Sequence, residues 1–175
     1  MRFSYYNRLT PRQQSVYRAS DAIEAVRILE GEPLEPAVAS IAAALAAGEQ
    51  VRAQAACQAL IDELAARFGV PPIEVVVLAR RPLLRDGDLQ GLYEPEEHGK
   101  PIRILVWMRT AQRKQVVAFR TFLRTLLHEF CHHLDYEFFR LPETFHTEGF
   151  YQRESSLLNQ LLPPGEPVTG QKRES

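Results

Sequence analysis

The sequence predicts an α+β domain in which three helices come first, a small three-stranded, mainly antiparallel sheet follows, and two more helices end the fold. Two observations lead to this prediction. Apolar residues recur with helical spacing before Pro71 and again after residue 115. Between these regions the chain carries short runs rich in Val and Ile, which are typical of strands.

The first helix is predicted to begin at Pro11, because Thr10 is a favourable N-cap and proline is favourable at the first helical position. Its apolar stripe continues to Gly31, a predicted stop. An alanine-rich second helix is predicted over residues 36–47 and a third over residues 50–68, and a glycine follows each of them.

Strands are predicted over residues 73–78, 89–94 and 102–108, with charged turns between them. Such turns favour hairpins over crossovers, so we expect neighbouring strands to be antiparallel. The longest helix is predicted over residues 115–140, and a last helix from about residue 147 to residue 162.

The domain prediction has three parts. Residues 1–48 form an N-terminal helical extension, residues 49–162 form the main domain, and residues 163–175 form a disordered tail that is polar and rich in Pro and Gly. At 175 residues the chain is long enough for one packed core.

Composition argues against several classes of protein. The net charge of -1 disfavours a protein that coats nucleic acid or a membrane surface. The longest apolar stretch, residues 41–47, is too short to span a bilayer, and the first eight residues lack the apolar run of a signal peptide. Two cysteines make no disulfide framework. We therefore expect a cytoplasmic protein without a membrane partner.

Charge is uneven along the chain. Between residues 75 and 125 ten basic residues face five acidic ones, a net charge of +5. A solvated surface explains this segment without any partner. The alternative is a patch, within residues 80–124, that contacts an acidic partner such as DNA.

The helix predicted around residue 128 carries the sequence His128-Glu129-Phe130-Cys131-His132. At 100° per residue the two histidines lie on one face, and the apolar side chains lie opposite: Phe119, Leu123, Leu126, Leu127, Phe130 and Leu134. Histidines one turn apart can bind one zinc ion, Zn²⁺. Glu129 lies beside them and can take a proton from a metal-bound water, so we predict that it is the catalytic residue.

A catalytic zinc takes three protein ligands and keeps one position open. His146 is the preferred third ligand, because Leu141 and Pro142 supply a chain reversal that brings the following segment back. Glu148 and Glu154 on the last helix are the alternatives, and either would give a His-His-Glu site.

Other polar side chains near the motif are assigned supporting roles. His133 lies towards the edge of the apolar stripe and is expected to be packed rather than a ligand. Asp135 is a candidate to orient an imidazole N–H. Tyr136 and Tyr151 are candidates to assist at the oxyanion, although their spacing singles out neither.

The chain resembles the SprT-like zinc metallopeptidases, the family of the Spartan-type proteases, over about residues 52–162. The matching parts are residues 126–132 and 146–150, with weaker similarity at residues 91–93 and 102–104. The resemblance implies His128, His132 and His146 as zinc ligands, Glu129 as catalyst and a small zincin-like fold. It also implies a link to DNA, because Spartan-type relatives cleave proteins that are crosslinked to DNA.

The predicted function is a zinc metallopeptidase that acts on an extended protein or peptide. The strand over residues 102–108 is predicted to lie along the cleft edge and pair with the substrate. The alternative is a catalytically silent zinc-binding protein, or a DNA-associated interaction protein. Glu129 favours the enzyme, because a structural zinc site needs no such carboxylate and usually has four protein ligands.

Overall fold

The computed structural model describes residues 3–80, 91–97, 99–110 and 115–163. In these ranges a short 3-10 helix, Ser4–Arg8, precedes five α-helices: α1 (Pro11–Asp21), α2 (Glu35–Ala47), α3 (Gln50–Phe68), α4 (Phe119–Glu137) and α5 (Glu148–Leu161). The strands are β1 (Glu74–Leu78), β2 (Gly91–Glu94) and β3 (Arg103–Trp107). The α+β class is thus confirmed, whereas the tail from residue 164 onwards lies outside the described residues.

The sheet is mixed, so the prediction of a mainly antiparallel sheet is wrong. The strand order is β1-β3-β2, with β3 antiparallel to β2 and parallel to β1. β2 and β3 form the predicted hairpin, whose turn contains Gly99 at φ 78°. The hairpin occupies one edge of β3, and β1 adds to the remaining edge in the parallel direction.

β3 is the central strand, which corrects the prediction that it borders the cleft. Its side chains Ile104 and Val106 are fully buried, and both of its edges are paired. Since β2 pairs only with β3 among the described residues, β2 is an edge strand of the sheet.

The outer edge of β1 is covered by glutamines of α3. Gln58 accepts a hydrogen bond from the Val75 backbone N–H and donates to the Ile73 carbonyl, each at 2.8 Å. One and two turns earlier on the same helix face, Gln54 and Gln50 bond to the Val77 N–H and carbonyl. These side chains take the place of a further strand and block edge-to-edge pairing.

The first helix ends at Asp21, ten residues before the predicted stop at Gly31. Beyond it, the chain bonds to side chains of α5 instead of to itself. Gln160 donates to the Val26 carbonyl and accepts from the Ile28 N–H, and Ser156 also donates to Val26. These tertiary hydrogen bonds replace those that a longer helix would make.

The second and third helices agree with prediction, and Gly48 and Gly69 end them in the left-handed conformation. The long helix is shorter than the predicted 115–140. The chain before it pairs with the end of the sheet, where the Val117 N–H donates to the Met108 carbonyl at 2.9 Å. After it, Arg140 turns the chain at φ 56°.

α4 runs between α5 and the sheet, with contacts to β2 and β3. Five of its six predicted core residues are fully buried, namely Leu123, Leu126, Leu127, Phe130 and Leu134, and Phe119 is half-buried. Because this face is occupied by the core, the opposite face of α4 is left to form the floor of a cavity.

Val38 and Ile41 of α2 belong to the same buried cluster as α3 and α4. The domain boundary at residue 48 stays a prediction. Within the described residues, no helix has the length and apolar character needed to cross a bilayer.

Candidate metal centre

Three histidines converge on one point. His128 and His132 lie one turn apart on α4, and His146 lies in the irregular segment just before α5. The Nε2 atom of His146 is 3.0 Å from Nε2 of His128 and 3.2 Å from Nε2 of His132. The three histidines are close enough to hold one metal ion.

His128 is oriented by Glu154, which was an alternative candidate for the third ligand. The Nδ1 atom of His128 lies 2.8 Å from Oε2 of Glu154, and the other carboxylate oxygen accepts from Arg124 at 2.8 Å. A carboxylate next to an arginine is an acceptor, so the proton of His128 resides on Nδ1 and the Nε2 lone pair is free for a metal. Glu154 therefore acts on His128 and is not placed among the ligands.

His132 is oriented through a chain of hydrogen bonds. Its Nδ1 lies 2.8 Å from Oγ1 of Thr144, which donates to Oδ2 of Asp135 at 2.8 Å. Since the hydroxyl proton is directed to Asp135, Thr144 offers a lone pair to the Nδ1–H of His132. The other Asp135 oxygen accepts from Nη2 of Arg153 at 2.8 Å. Asp135 thus acts on the imidazole through Thr144, one step further away than predicted.

Burial favours neutral imidazoles at this site. Burial, followed by the neighbouring His128 and His146, lowers the pKa of His132 to about 2. The pKa of His146 is lowered mainly by burial and then by His128. Neutral imidazole is the form that binds a metal.

Glu148, the other alternative candidate for the third ligand, lies in the first turn of α5 and is exposed. It does not belong to the group of side chains whose ligand atoms converge. Thr147 caps this helix by accepting from the Phe150 N–H at 2.9 Å. The cap fixes the start of α5 immediately after His146.

Glu129 lies beside the histidines and is 5% exposed. Burial raises the pKa of its carboxyl group to about 7, against the lowering effects of His128 and of the Tyr93 backbone N–H that donates to it. A metal ion at the three histidines would lower this pKa further, because its positive charge stabilises the carboxylate. A carboxylate at this position can accept a proton from a water molecule in the cavity.

Gly91 of β2 makes room for Glu129. A Cβ atom at position 91 would lie 2.5 Å from Oε1 and 2.8 Å from Cγ of Glu129. A glycine inside a strand often marks such a close approach. A glycine within the strand predicted over residues 89–94 was therefore a signal of this close approach that the sequence contained.

We expect Gly91→Ala to displace the Glu129 carboxylate and to reduce by about 100-fold any hydrolysis in which Glu129 acts as the predicted base, the size of effect that a misplacement of about 1 Å produces. Metal binding should be retained, because the three atoms nearest to the added Cβ all belong to Glu129. Steady-state kinetics beside metal analysis would test this. An unchanged kcat would show that the contact is not needed.

The histidines and Glu129 line a cavity of about 780 Å³. Its walls include three residues of the edge strand, Gly91, Leu92 and Tyr93, and the phenol side chains of Tyr136 and Tyr151. The edge strand and the candidate metal site therefore face the same space.

His133 is buried away from the three histidines, as expected. Its ring nitrogens lie 3.1 Å from the hydroxyl of Tyr93 and 3.0 Å from the carbonyl of Pro71. It ties β2 to α4 and to the chain before β1. Sequence reasoning missed Thr144 and Arg153, because no local pattern links them to His132.

Six of the ten basic residues of the positively charged segment are described: Arg80, Lys100, Arg103, Arg109, Arg120 and Arg124. Arg103 pairs with Glu94 at 2.6 Å and Arg124 pairs with Glu154 at 2.8 Å. DNA contact through residues 80–124 stays a prediction, which a steep salt dependence of DNA binding would support.

Comparisons of the chain with protein-family models, with curated proteins and with solved structures found no match.

Proposed function

We propose that this chain is a zinc metallopeptidase of the SprT-like type, in which His128, His132 and His146 bind Zn²⁺ and Glu129 is the catalytic base. The observation that carries the proposal is the convergence of three imidazole Nε2 atoms beside a buried carboxylate in one cavity. Three histidines with an open fourth position are typical of catalytic zinc sites.

The spacing of the ligand atoms suits zinc. Tetrahedral coordination with Zn–N bonds of about 2.0–2.1 Å places ligand nitrogens about 3.3 Å apart. The distances of 3.0 and 3.2 Å between Nε2 atoms are close to this value. Imidazole also binds other transition metals. We propose zinc because three histidines with one open position are a typical donor set of catalytic zinc sites.

In the proposed reaction, zinc supplies a Lewis acid that lowers the pKa of water and polarises a peptide carbonyl. Glu129 accepts the proton of the attacking water and then transfers it to the leaving amine. The Tyr93 N–H holds the carboxylate in place for both transfers. Tyr136 and Tyr151 line the same cavity, and either phenol is a candidate to donate to the carbonyl oxygen.

We infer an extended peptide as substrate, bound along β2. An edge strand can add one more strand through backbone hydrogen bonds, which requires little from the substrate side chains. β2 lines the cavity and is an edge strand, so it takes the role that the sequence suggested for residues 102–108.

The test is digestion of an unfolded protein such as casein, with mass spectrometry to identify the new termini. We expect internal cleavage that requires bound zinc. A zinc-loaded protein that cleaves no polypeptide would contradict the proposal and would favour the alternative, a catalytically silent zinc-binding protein.

The ligand assignment predicts different effects for three substitutions. His146→Ala removes a ligand and should abolish tight zinc binding. Glu154→Ala removes the partner of His128 and should weaken zinc binding by about 10–100-fold. Glu148→Gln should leave the affinity unchanged. Competition with a chromophoric chelator measures all three, and equal affinity of His146→Ala and wild type would exclude His146 as a ligand.

A further inference from the structure

We infer that Tyr5, in the N-terminal segment of residues 3–21, is a positioning residue for His146 of the candidate metal site. The inference rests on the proposed metal-binding role of His146. The hydroxyl of Tyr5 donates a 2.8 Å hydrogen bond to the backbone carbonyl of His146, across 141 positions of sequence.

His146 needs such support because of where it lies. His128 and His132 are held by the hydrogen-bonded backbone of α4, whereas His146 lies in an irregular segment between two helices. A ligand on irregular backbone has more conformational freedom to lose on metal binding than a ligand on a helix. Contacts that fix this segment beforehand therefore favour metal binding.

Tyr5 is itself held by a cluster of aromatic rings. Its ring packs edge-on against Tyr17 with 5.8 Å between the centroids, and Tyr17 is fully buried. The Tyr17 ring also packs against the ring of Phe145, the neighbour of His146, with 6.2 Å between the centroids. The Tyr17 hydroxyl accepts from the backbone N–H of Phe3 at 3.2 Å, which fixes the start of the segment.

The segment also holds the chain on both sides of His146. Before it, Gln13 donates to Glu143 at 3.0 Å. After it, Asp21 accepts a 3.1 Å hydrogen bond from the backbone N–H of Gly149. This N–H lies in the first turn of α5, where backbone donors have no acceptor within the helix. A Cβ at position 149 would collide with the Asp21 backbone, so α1 and α5 meet closely at this point.

These contacts therefore have two different effects. The aromatic packing and the contacts of Gln13 and Asp21 hold the segment as a whole, while the Tyr5 hydroxyl fixes the peptide unit of His146 itself. Removing only this hydroxyl should leave the fold intact and loosen the ligand.

Tyr5→Phe in the 175-residue chain tests this, with Tyr6→Phe as the matched control. Tyr6 lies in the same 3-10 helix, but its hydroxyl accepts from Arg18 at 2.6 Å. We expect Tyr5→Phe to weaken zinc binding about tenfold in chelator competition, the size of effect typical for groups that orient ligands. The visible spectrum of the Co²⁺-substituted protein should change in the same variant, and Tyr6→Phe should retain the wild-type affinity and spectrum.

Wild-type zinc affinity together with an unchanged Co²⁺ spectrum in Tyr5→Phe would overturn the inference. Equal weakening of zinc binding in both variants would also overturn it, because that result would indicate a general effect of the 3-10 helix on stability. Since the readout is metal affinity, a failure to cleave peptides would count against the proposed function and not against the role of Tyr5.

Discussion

Replacing Glu129 by Gln is expected to lower kcat for peptide hydrolysis by about 10²–10⁴-fold, the usual contribution of a positioned general base. Zinc should stay bound, because the three histidines are unchanged. The glutamine side chain would have nearly the same shape in the buried site and could still accept from the Tyr93 N–H, but an amide cannot take the proton of water.

The matched control is Glu63→Gln, which makes the same chemical change on α3, where Glu63 pairs with Arg67 and does not line the cavity. This variant should keep wild-type kcat. Equal rates for Glu129→Gln and wild type, with both zinc-loaded, would exclude Glu129 as the base.

The largest expected effect on stability comes from Arg153→Met. Arg153 is 1% exposed, and it bonds to buried Asp135 and to the backbone carbonyls of Ser20 and Ile23. Removing one partner of a buried ion pair costs about 3–5 kcal/mol, because the other charge is left unpaired. Urea unfolding of the metal-free protein measures this loss without the contribution of metal binding.

The loss in Arg153→Met should also depend on pH. Burial raises the pKa of Asp135, and Arg153 is the main influence that opposes the rise. Without Arg153 the folded-state pKa rises further above the unfolded value, so the folded state prefers the protonated carboxyl. The variant should therefore be closest to wild type at acid pH and lose stability as the pH rises through the Asp135 pKa.

The double variant Arg153→Met with Asp135→Asn is the control for this interpretation. It removes both charges of this ion pair, so it should recover part of the stability, and most of the added pH dependence should disappear. A loss below about 1 kcal/mol in Arg153→Met would show that the ion pair contributes little.

Local signals in the sequence predicted much of the fold. Glycines at positions 48 and 69 end α2 and α3 where expected, and Thr10 forms the capping box that begins α1. The end of α1 could not be predicted from such local signals. It depends on Gln160 and Arg153, whose partners lie 130 or more positions away in sequence.

The same distinction applies to the candidate site. His128, Glu129 and His132 follow from the period of one helix, and His146 follows from a short chain reversal. The tertiary partners of these residues have no such pattern. Thr144 contacts His132 because the segment before α5 folds against α4, and Tyr5 contacts His146 because the N-terminal segment packs against that same segment.

The most direct test of a three-histidine zinc peptidase is removal and return of the metal in the 175-residue chain. We predict one zinc per chain, loss of casein cleavage after dialysis against a chelator, and recovery on addition of one equivalent of Zn²⁺. Cleavage that persists at full rate in the metal-free protein would contradict the proposed zinc mechanism, as would a protein that rebinds one zinc and cleaves nothing.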